Sequence, residues 1–282
     1  MRSAKWCAAL LVLMLVVAGC GGETEKPGEG NGDKAKPKDE AAQPKKMERM
    51  TLDLGQGVTM ELVLIPAGEF MMGSLSTETD HQSDEAPFHK VTLTRPFYIG
   101  VTEVTQRQFE AVTGKNPSAN KGENHPVDSL SWWEAEKFLE KLSEKTGKTC
   151  RFPTEAEWEY ACRAGTTTRW SFGDDEKELA YYAWYEGNSA DKHHPVGEKK
   201  PNPWGLYDMH GNICELVYDR YTPKYDEGPA VDPTGSDVKV AIHVRRGGAF
   251  NHEARDLRSA RRVAIGSGIV LNTIGLRVVV EK

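Results

Sequence analysis

One long central stretch of this chain, residues 166–240, has almost no hydrophobic periodicity. Gly, Pro, Asn, Asp and aromatic residues dominate it, and residues of these types favour turns over continuous helices or strands. Loops of such length inside a compact domain are usually functional, or are held by ions and aromatic packing. The fold must therefore be poor in regular secondary structure and must hold its loops through tertiary contacts.

Three helices are predicted before that stretch, each from a capping box, in which a Ser or Thr oxygen accepts from the N3 amide and the N3 side chain reaches back. The boxes begin at Thr105, Ser131 and Thr154, with Gln108, Glu134 and Glu157 at N3, and the predicted helices end at Gly114, Gly147 and Gly165. In the second helix Trp133, Phe138 and Leu142 fall near one face. We expect these three side chains to lie in the core.

Strands are predicted before and after the helices. Apolar patterning marks residues 58–65, 90–99, 239–245 and 275–280, with a short apolar run at 70–73. A chain of 282 residues with 38% hydrophobic content is long enough to bury a substantial core. The arrangement of few helices and flanking strands predicts an α+β fold.

The first 20 residues form a separate unit. Arg2 and Lys5 precede an apolar run at 7–17, and small residues lead to Cys20. This run is too short to span a bilayer, and the pattern is typical of a secretory signal. Its ending resembles the lipobox of bacterial lipoproteins, which implies a signal peptide at 1–19, a lipidated Cys20 and anchoring to a membrane. An ordinary secretory signal with an incidental cysteine is the alternative.

Residues 20–49 are predicted to form a tether, and residues 50–282 the folded domain. Between Gly21 and Met47 there is no aromatic and no β-branched aliphatic residue, so this stretch cannot offset its ordering entropy by burial. As a coil it would hold the domain on the order of 30 Å from the bilayer. The net charge is −6, from 36 Lys plus Arg and 42 Asp plus Glu, and removal of Arg2 and Lys5 makes it −8. An acidic chain of this kind is not expected to bind nucleic acid.

Three cysteines, Cys150, Cys162 and Cys214, remain in the predicted domain. They allow at most one internal disulfide, whose pairing the sequence leaves open. Because no spacing of the zinc type is present, we interpret each as a small buried residue.

Several motifs together resemble the formylglycine-generating enzyme family, also called sulfatase-modifying factors. They are residues 68–73 (GEFMMG), 103–105 (EVT), 125–127 (HPV) with Ser131 and Trp132, 151–161 (RFPTEAEWEYA), 201–212 (PNPWGLYDMHGN), 246–248 (RGG) and 275–277 (GLR). The resemblance covers the whole predicted domain and implies a C-type-lectin-like topology with little regular structure. Related domains have different activities, so membership predicts the fold far better than the reaction.

The enzymes of that family oxidise a sulfatase cysteine with oxygen and a copper(I) ion, which two thiolates hold shortly after Arg-Gly-Gly. This chain has no cysteine after Cys214, and His252 stands at the first cysteine position. The Ser that usually follows Arg-Gly-Gly is Ala249, and the Trp of the usual Gly-Asn-x-Trp-Glu is Cys214. Copper and catalytic residues are therefore not expected, and His252, Arg258 and Cys214 are the candidates for lining the former cleft. We interpret His252 as a surface or pocket-wall residue.

A structural calcium ion is implied by the same resemblance. Asp208, Gly211, Ile213 and Glu215 stand where relatives bind Ca²⁺ through side-chain and backbone oxygens, the ligands that calcium prefers. The alternative is that Asp208 and Glu215 only cap the turn. A second calcium site of the family needs a longer loop after Asn188, and we expect it to be lost.

Other charged and polar groups have less specific interpretations. His193 and His194 precede Pro195 in a loop and are expected to be solvated. Arginines are concentrated near the C-terminus: Arg245, Arg246, Arg255, Arg258, Arg261, Arg262 and Arg277. They are interpreted as ties between loops and carboxylates, with a pocket for an anionic peptide or glycan as the alternative.

The sequence therefore predicts a lipid-anchored protein of the bacterial cell envelope whose domain binds or scaffolds a partner, such as an envelope protein, a peptide or a glycan. Gly21 is not an acidic retention residue, which favours the outer membrane. The alternative is a sulfatase-modifying or related oxidative maturation enzyme with non-standard ligands. A third interpretation is an assembly partner resembling gliding-motility lipoproteins.

Overall fold

The computed structural model describes residues 47–235 and 241–282. The predicted signal peptide, the predicted lipidation at Cys20 and most of the predicted tether lie outside these residues. In the described part of the chain, no helix has both the length and the hydropathy that crossing a membrane requires.

Four α-helices and twelve strands, grouped into three sheets, make up the regular structure of the described residues. The strands are β1 (Arg49–Asp53), β2 (Thr59–Ile65), β3 (Gly68–Met72), β4 (His89–Leu93), β5 (Phe97–Gly100), β6 (Cys150–Arg151), β7 (Cys214–Arg220), β8 (Ala230–Val231), β9 (Ile242–Arg246), β10 (Val263–Gly266), β11 (Ile274–Leu276) and β12 (Val279–Glu281). The helices are α1 (Gln106–Thr113), α2 (Trp132–Thr146), α3 (Glu155–Arg163) and α4 (Leu179–Tyr182). The predicted α+β class with little regular structure is confirmed.

The capping boxes place α1, α2 and α3 where the sequence predicts them. In each box the side chain of Thr105, Ser131 or Thr154 accepts from the N3 amide, and the N3 side chain accepts from the cap amide. The first two helices end at Gly114 and Gly147, both in the left-handed region. The third ends one residue before the predicted position, because Ala164 takes up the left-handed conformation itself.

The sheets divide the molecule into layers. The largest is antiparallel with the strand order β1-β2-β5-β12-β6, and α2 packs on it through Phe138, Leu139 and Leu142 in one core. A four-stranded sheet has the order β10-β9-β7-β11, in which β11 runs parallel to β7. Strands β3, β4 and β8 form the third sheet. Cys214 and Glu215, two of the residues that the sequence singles out for function, lie in β7 of the four-stranded sheet.

Two predicted strands are each split between sheets. The predicted strand at 90–99 is β4 and β5, separated by a segment that contains Pro96, which has no backbone donor for a ladder. The predicted strand at 275–280 is β11 and β12, with Arg277 and Val278 at the crossing. The region predicted to have little regular structure contains the seven-residue strand β7, which is central in its sheet.

The prediction for the apolar face of α2 is wrong at one residue. Trp133 is 51% exposed, whereas Trp132 is buried together with Phe138 and Leu142. Trp132 instead stacks on His243, with 4.0 Å between the ring centroids, and its Nε1 donates to the Val217 carbonyl at 3.1 Å. A buried indole therefore joins α2 to the four-stranded sheet.

Candidate functional site

The candidate cleft lies at the end of β9, where the Arg-Gly-Gly motif leaves the sheet. Gly247 and Gly248 both have positive φ, and a Cβ on Gly248 would lie 2.9 Å from the side chain of Leu257. The chain can turn here only without side chains, which brings residues 249–257 back over the sheet. The turn places His252 next to Arg245 and Asp256.

His252 is half-buried and is held through its backbone. Its amide donates to the Ala249 carbonyl at 2.9 Å, and its own carbonyl accepts from Glu186 at 3.1 Å. Burial and the neighbouring Arg245 lower the pKa of the imidazole, which favours the neutral form. Its Nδ1 is buried and has no hydrogen-bond partner within the described ranges.

Cys214 lies at the start of β7, next to Arg245 of the neighbouring strand β9. Arg245 Nη1 lies 3.7 Å from its sulfur, and Asp256 acts electrostatically on both Cys214 and His252. Burial nevertheless raises the pKa of the Cys214 thiol to about 11. Arg245 and Asp256 therefore both act electrostatically on Cys214 and on His252, and the thiol is protonated at neutral pH.

The other two cysteines of the described domain are also buried free thiols. Cys150 lies in β6 and Cys162 in α3, and burial raises the pKa of Cys162 to about 12 and that of Cys150 as well. Copper(I) in the family's oxidases needs two thiolates after Arg-Gly-Gly. The residues present here do not fit that ion.

Arg258 lies apart from this pair of residues. Its guanidinium is fully buried and donates to Glu85 at 2.6 and 2.8 Å and to Glu78 at 2.8 Å. Its Nη2 also donates to the Asp80 carbonyl at 2.7 Å and its Nε to the Arg255 carbonyl at 3.0 Å. All five N–H donors of Arg258 are therefore used within the protein, and none is left for a ligand in the cleft.

Three further arginines form a buried network with the acidic face of α3. Arg246 donates to Glu155 and Glu159, Arg262 donates to Glu155, and Arg163 donates to Glu159 at 2.9 Å. Each of the four carboxylate oxygens accepts at least one of these bonds. Arg246 of β9 and Arg262, directly before β10, therefore tie the four-stranded sheet to α3, while Arg163 pairs with Glu159 within the helix.

The predicted calcium ligands lie on the buried turn that leads into β7. Gly211 has φ +128°, and a Cβ there would lie 2.3 Å from the Trp184 carbonyl, so only glycine fits. Asp208 Oδ2 accepts from the Gly197 amide at 2.7 Å, whereas Oδ1 has no partner among the described residues. Asp208 thus has a free oxygen for a cation.

Glu215, the other predicted carboxylate ligand, is already occupied. Arg277 Nε lies 2.9 and 3.0 Å from its two oxygens, Arg277 Nη2 donates at 2.6 Å, and Trp158 Nε1 donates at 2.7 Å. A carboxylate has about four lone-pair sites, and four contacts use them here.

Glu103 is a buried acidic residue that the sequence analysis did not select. It is 0% exposed, and within residues 47–235 and 241–282 its oxygens receive no N–H or hydroxyl donor, but its carboxyl group lies within hydrogen-bond reach of that of Asp208. Burial and the neighbouring Asp208 raise its pKa well above the ordinary value, and burial raises that of Asp208 to about 6. The only sequence signal was its place in the motif at 103–105, two residues before Thr105, the cap of α1.

No group of three or more His, Cys, Asp or Glu side chains among the described residues is arranged to hold a metal ion by itself. The free oxygens of Asp208 and Glu103 are nevertheless hard ligands in a water-poor interior, which fits a calcium ion completed by backbone oxygens. The residues present are therefore compatible with the ion that the resemblance implies.

The expectation that His193 is solvated is wrong. It is 1% exposed, its Nε2 lies 3.0 Å from Asp128 Oδ2, and its Nδ1 lies 2.9 Å from the Nδ1 of His125. Because two ring nitrogens at that distance share one proton, at least one of the two imidazoles is neutral. His194 stacks on Trp184 with 3.7 Å between the ring centroids.

A surface cavity of about 480 Å³ opens beside the His252 loop. Its walls include Asp80, Glu176, Glu186, Glu253 and Arg255, together with Tyr185. Arg255 pairs with Glu253 at 3.0 Å, and Asp80 pairs with Arg169 at 2.6 Å. The carboxylates of Glu176 and Glu186 therefore make the cavity acidic.

This chain is a loop-rich α+β domain with its candidate cleft after β9. It has three sheets and long loops, and buried arginines bind its interior carboxylates. The sulfatase-modifying factor enzyme 1-like domain family matches residues 53–282, and the chain belongs to that family. The family prediction is confirmed.

Known proteins similar to this chain have diverse names. Serine/threonine-protein kinase pkn1 of Chlamydia pneumoniae is 31% identical over 252 residues, which is 79% of this chain and 38% of that protein. The chain therefore spans about two fifths of that relative. Formylglycine-generating enzyme of Streptomyces coelicolor is 30% identical over 252 residues, covering 67% of this chain and 78% of the enzyme. The solved structure of Treponema denticola variable protein 1 superposes with a TM-score of 0.76 at 30% identity, over 83% of this chain and 99% of that one.

Proposed function

We propose that this protein is anchored by a lipid at Cys20 in the bacterial cell envelope, and that its domain binds or scaffolds a partner instead of oxidising cysteines with copper. One observation carries the proposal. The family's two thiolate ligands are missing after Arg-Gly-Gly, and Cys214, the cysteine beside His252, is buried with a raised pKa. An ion that prefers soft thiolates has no pair of them here.

The family alone leaves the reaction open, since relatives carry the names of a kinase and of a formylglycine-generating enzyme. The acidic cavity beside His252 is a candidate place for a partner. Within this proposal a calcium ion has a structural role: it holds the turn around Asp208 and Gly211 against the sheet.

The catalytic part is tested by incubating the purified full chain with copper(I), oxygen and a cysteine peptide of the sulfatase type. We expect no aldehyde by mass spectrometry, with the Streptomyces coelicolor enzyme as the active control. Aldehyde formation at a rate near that of the control would overturn the proposal.

The binding part is tested in cells by a photo-crosslinking amino acid at Glu186, which lines the cavity, and at Glu140, which is exposed on α2. We expect a discrete crosslinked product from the first position and none from the second. Equal patterns from both positions would argue against a binding cavity.

The anchor is tested by membrane fractionation after labelling with an alkyne fatty acid. The wild type is expected in the membrane fraction with label, and the Cys20→Ser variant in the soluble fraction without it. Selective detergent extraction of the inner membrane then tests the expected outer-membrane placement.

An oxidative enzyme with other ligands is the second candidate, because His252 presents a buried, unpartnered Nδ1 at the first cysteine position. Metal analysis of the protein as isolated separates the two. Stoichiometric copper or iron favours the enzyme, and calcium alone favours the binding protein. An assembly role would instead give one stable complex that co-purifies without turnover.

A further inference from the structure

We propose that His125 and His193 bind a transition-metal ion of the zinc class through their two Nδ1 atoms, and that Asp128 orients His193 from the other side of its ring. The site uses no residue of the turn at 208–215 or of the loop after Arg-Gly-Gly. The inference goes beyond the proposed function, and it depends on neither the calcium ion nor the partner proposed there.

Backbone hydrogen bonds bring the two histidines together from two loops. His125 lies between α1 and α2, where its carbonyl accepts from the Gln106 amide at 2.9 Å. On the loop after α4, the amide of Val196 donates to the Asn124 carbonyl at 2.9 Å. The residue before His125 is thus tied to the loop that carries His193, which holds the two rings in contact.

A buried carboxylate determines the tautomer of His193. Asp128 is 0% exposed, and its Oδ1 accepts from the Ala119 amide at 3.0 Å and from the Ser129 hydroxyl at 2.6 Å. Its Oδ2 lies 3.0 Å from His193 Nε2. Because an ionised carboxylate can only accept, Nε2 carries the proton, and Nδ1 of the neutral ring keeps a lone pair. Histidine ligands of metal ions are typically oriented by such a carboxylate.

His125 supplies the second nitrogen. Its Nδ1 lies 2.9 Å from His193 Nδ1, and at this distance it donates its proton to the lone pair of His193. Burial and the neighbouring His193 lower the pKa of His125, which favours the neutral imidazole that binds metals. The ring is partly exposed, so an ion can reach it from solvent. The proton that the ion displaces moves through solvent to Nε2 of the same ring, which leaves both imidazoles neutral.

The separation of the two nitrogens is close to that in a zinc site. Two nitrogens that lie about 2.0–2.1 Å from a tetrahedral ion are about 3.3 Å apart, about 0.4 Å more than in the histidine pair. The partly exposed ring of His125 has to move outward by this small amount. Imidazole nitrogens suit zinc, nickel and copper(II), whereas calcium prefers oxygen ligands.

Only the two histidines supply side-chain ligands, because no group of three or more His, Cys, Asp or Glu among the described residues surrounds one ion. The next histidine, His194, stacks on Trp184, and its Nε2 lies 2.8 Å from the Ser189 carbonyl. Water would complete the coordination. We therefore expect zinc to bind here more weakly than in closed sites with four protein ligands.

The alternative is a histidine pair that shares a proton and only joins its two loops. Zinc would then have no effect on the stability of the protein. His125→Gln would lower the stability of the fold but would leave every response to zinc as it is in the wild type.

The test uses the purified full chain after dialysis against a chelator, with zinc chloride as the probe in buffer that contains excess calcium chloride. Isothermal titration and thermal unfolding are measured for the wild type, His125→Gln and His81→Gln, a control at another partly exposed histidine. We expect one zinc per wild-type chain and a rise in Tm. The affinity should fall at least tenfold in His125→Gln and be unchanged in His81→Gln.

No binding by the wild type, or equal affinities of the wild type and His125→Gln, would overturn the proposal. Because calcium is present throughout and no partner is added, such a failure would leave the proposed function as it stands. The aldehyde, crosslinking and fractionation experiments test that function separately.

A second measurement does not depend on the folding of a variant. Long-range proton–nitrogen NMR of the wild type distinguishes the two nitrogens of each imidazole. Zinc should shift the Nδ1 signals of His125 and His193, while His193 Nε2 keeps its proton. Shifts confined to other histidines would place the ion elsewhere and contradict the assignment.

Asp128→Asn tests the positioning role of the carboxylate. An amide can donate as well as accept, so His193 should become a mixture of tautomers, and the affinity for zinc should fall about tenfold. The same NMR spectra report the tautomers. A single unchanged tautomer together with unchanged affinity would show that Asp128 does not orient His193 for the ion.

Discussion

Buried carboxyl groups occur in two regions of this domain, and only one of the regions pairs them with arginines. Beside α3, each oxygen of Glu155 and Glu159 accepts from an arginine. Between the start of α1 and the turn before β7, Glu103 and Asp208 face each other without such a partner among the described residues. Buried charges are tolerated only when paired, so the first region is complete within the chain and the second needs a proton or a cation from outside.

The largest effect should come from breaking the paired region. Glu159→Gln leaves Arg163 and Arg246 without their shared carboxylate in a fully buried place, and we expect a loss of about 3–5 kcal/mol in the free energy of unfolding. Urea unfolding followed by circular dichroism measures it. Glu140→Gln, at an exposed position of α2, is the control. A loss below about 1 kcal/mol would mean that the network is not a stabilising pairing.

A buried base without a counter-ion should respond to pH. His210 donates through Nδ1 to the Leu257 carbonyl at 2.8 Å and accepts at Nε2 from the Ser171 amide at 3.1 Å, and burial lowers its pKa to about 4. Because the unfolded chain binds this proton near pH 6.5, the contribution of His210 is full above that pH. It is lost as the pH falls to about 4, by on the order of 3 kcal/mol.

The measurement compares unfolding free energies of the wild type and His210→Gln at several pH values between 7 and 4. Glutamine keeps one donor and one acceptor but does not titrate there. If the unfolding free energies of the two proteins change equally with pH, His210 is not the source of the pH dependence. The buried carboxyl groups affect both proteins alike and cancel in this comparison.

A smaller change within the paired region should show that its arginines, and not its tyrosine, provide most of the stabilisation of the buried carboxylates. Tyr225 donates to Glu155 Oε1 at 3.1 Å, and Tyr225→Phe removes only the hydroxyl. Since Arg246 and Arg262 still bind Glu155, we expect a loss of about 1 kcal/mol by urea unfolding. A loss as large as that of Glu159→Gln would contradict this ranking.

The smallest effect is expected at an exposed ion pair. Arg255 and Glu253 lie 3.0 Å apart with both side chains more than half exposed. Arg255→Ala should change the unfolding free energy by about 0–1 kcal/mol, and added salt should remove the difference. A larger loss that survives high salt would point to a role in the cavity wall.

Local chemistry explains what could be predicted from the sequence. A capping box and the start of its helix lie within four residues, so Thr105, Ser131 and Thr154 were sufficient to place three helices. The strand β7 was missed because its neighbours β9 and β11 are distant in sequence, and only their pairing makes it a strand.

In the candidate site, too, local motifs could be predicted from the sequence and long-range contacts could not. The position of His252 and the missing thiolates could be read from the motif alone. The burial of His193 and the isolation of Glu103 could not, because they depend on which distant backbone closes over each side chain. The residues that neighbour Glu103 in sequence give no sign that its side chain is buried, because acidic residues close to a helix start are usually exposed.

The three buried free thiols give this fold built-in reporters of opening. Cys150 lies in the five-stranded sheet, Cys214 in the four-stranded sheet and Cys162 in α3 between the arginines. An alkylating reagent can reach each sulfur only when its own layer separates. The order in which the three become labelled under mild denaturant would therefore give the order in which the layers come apart, without any engineered labelling site.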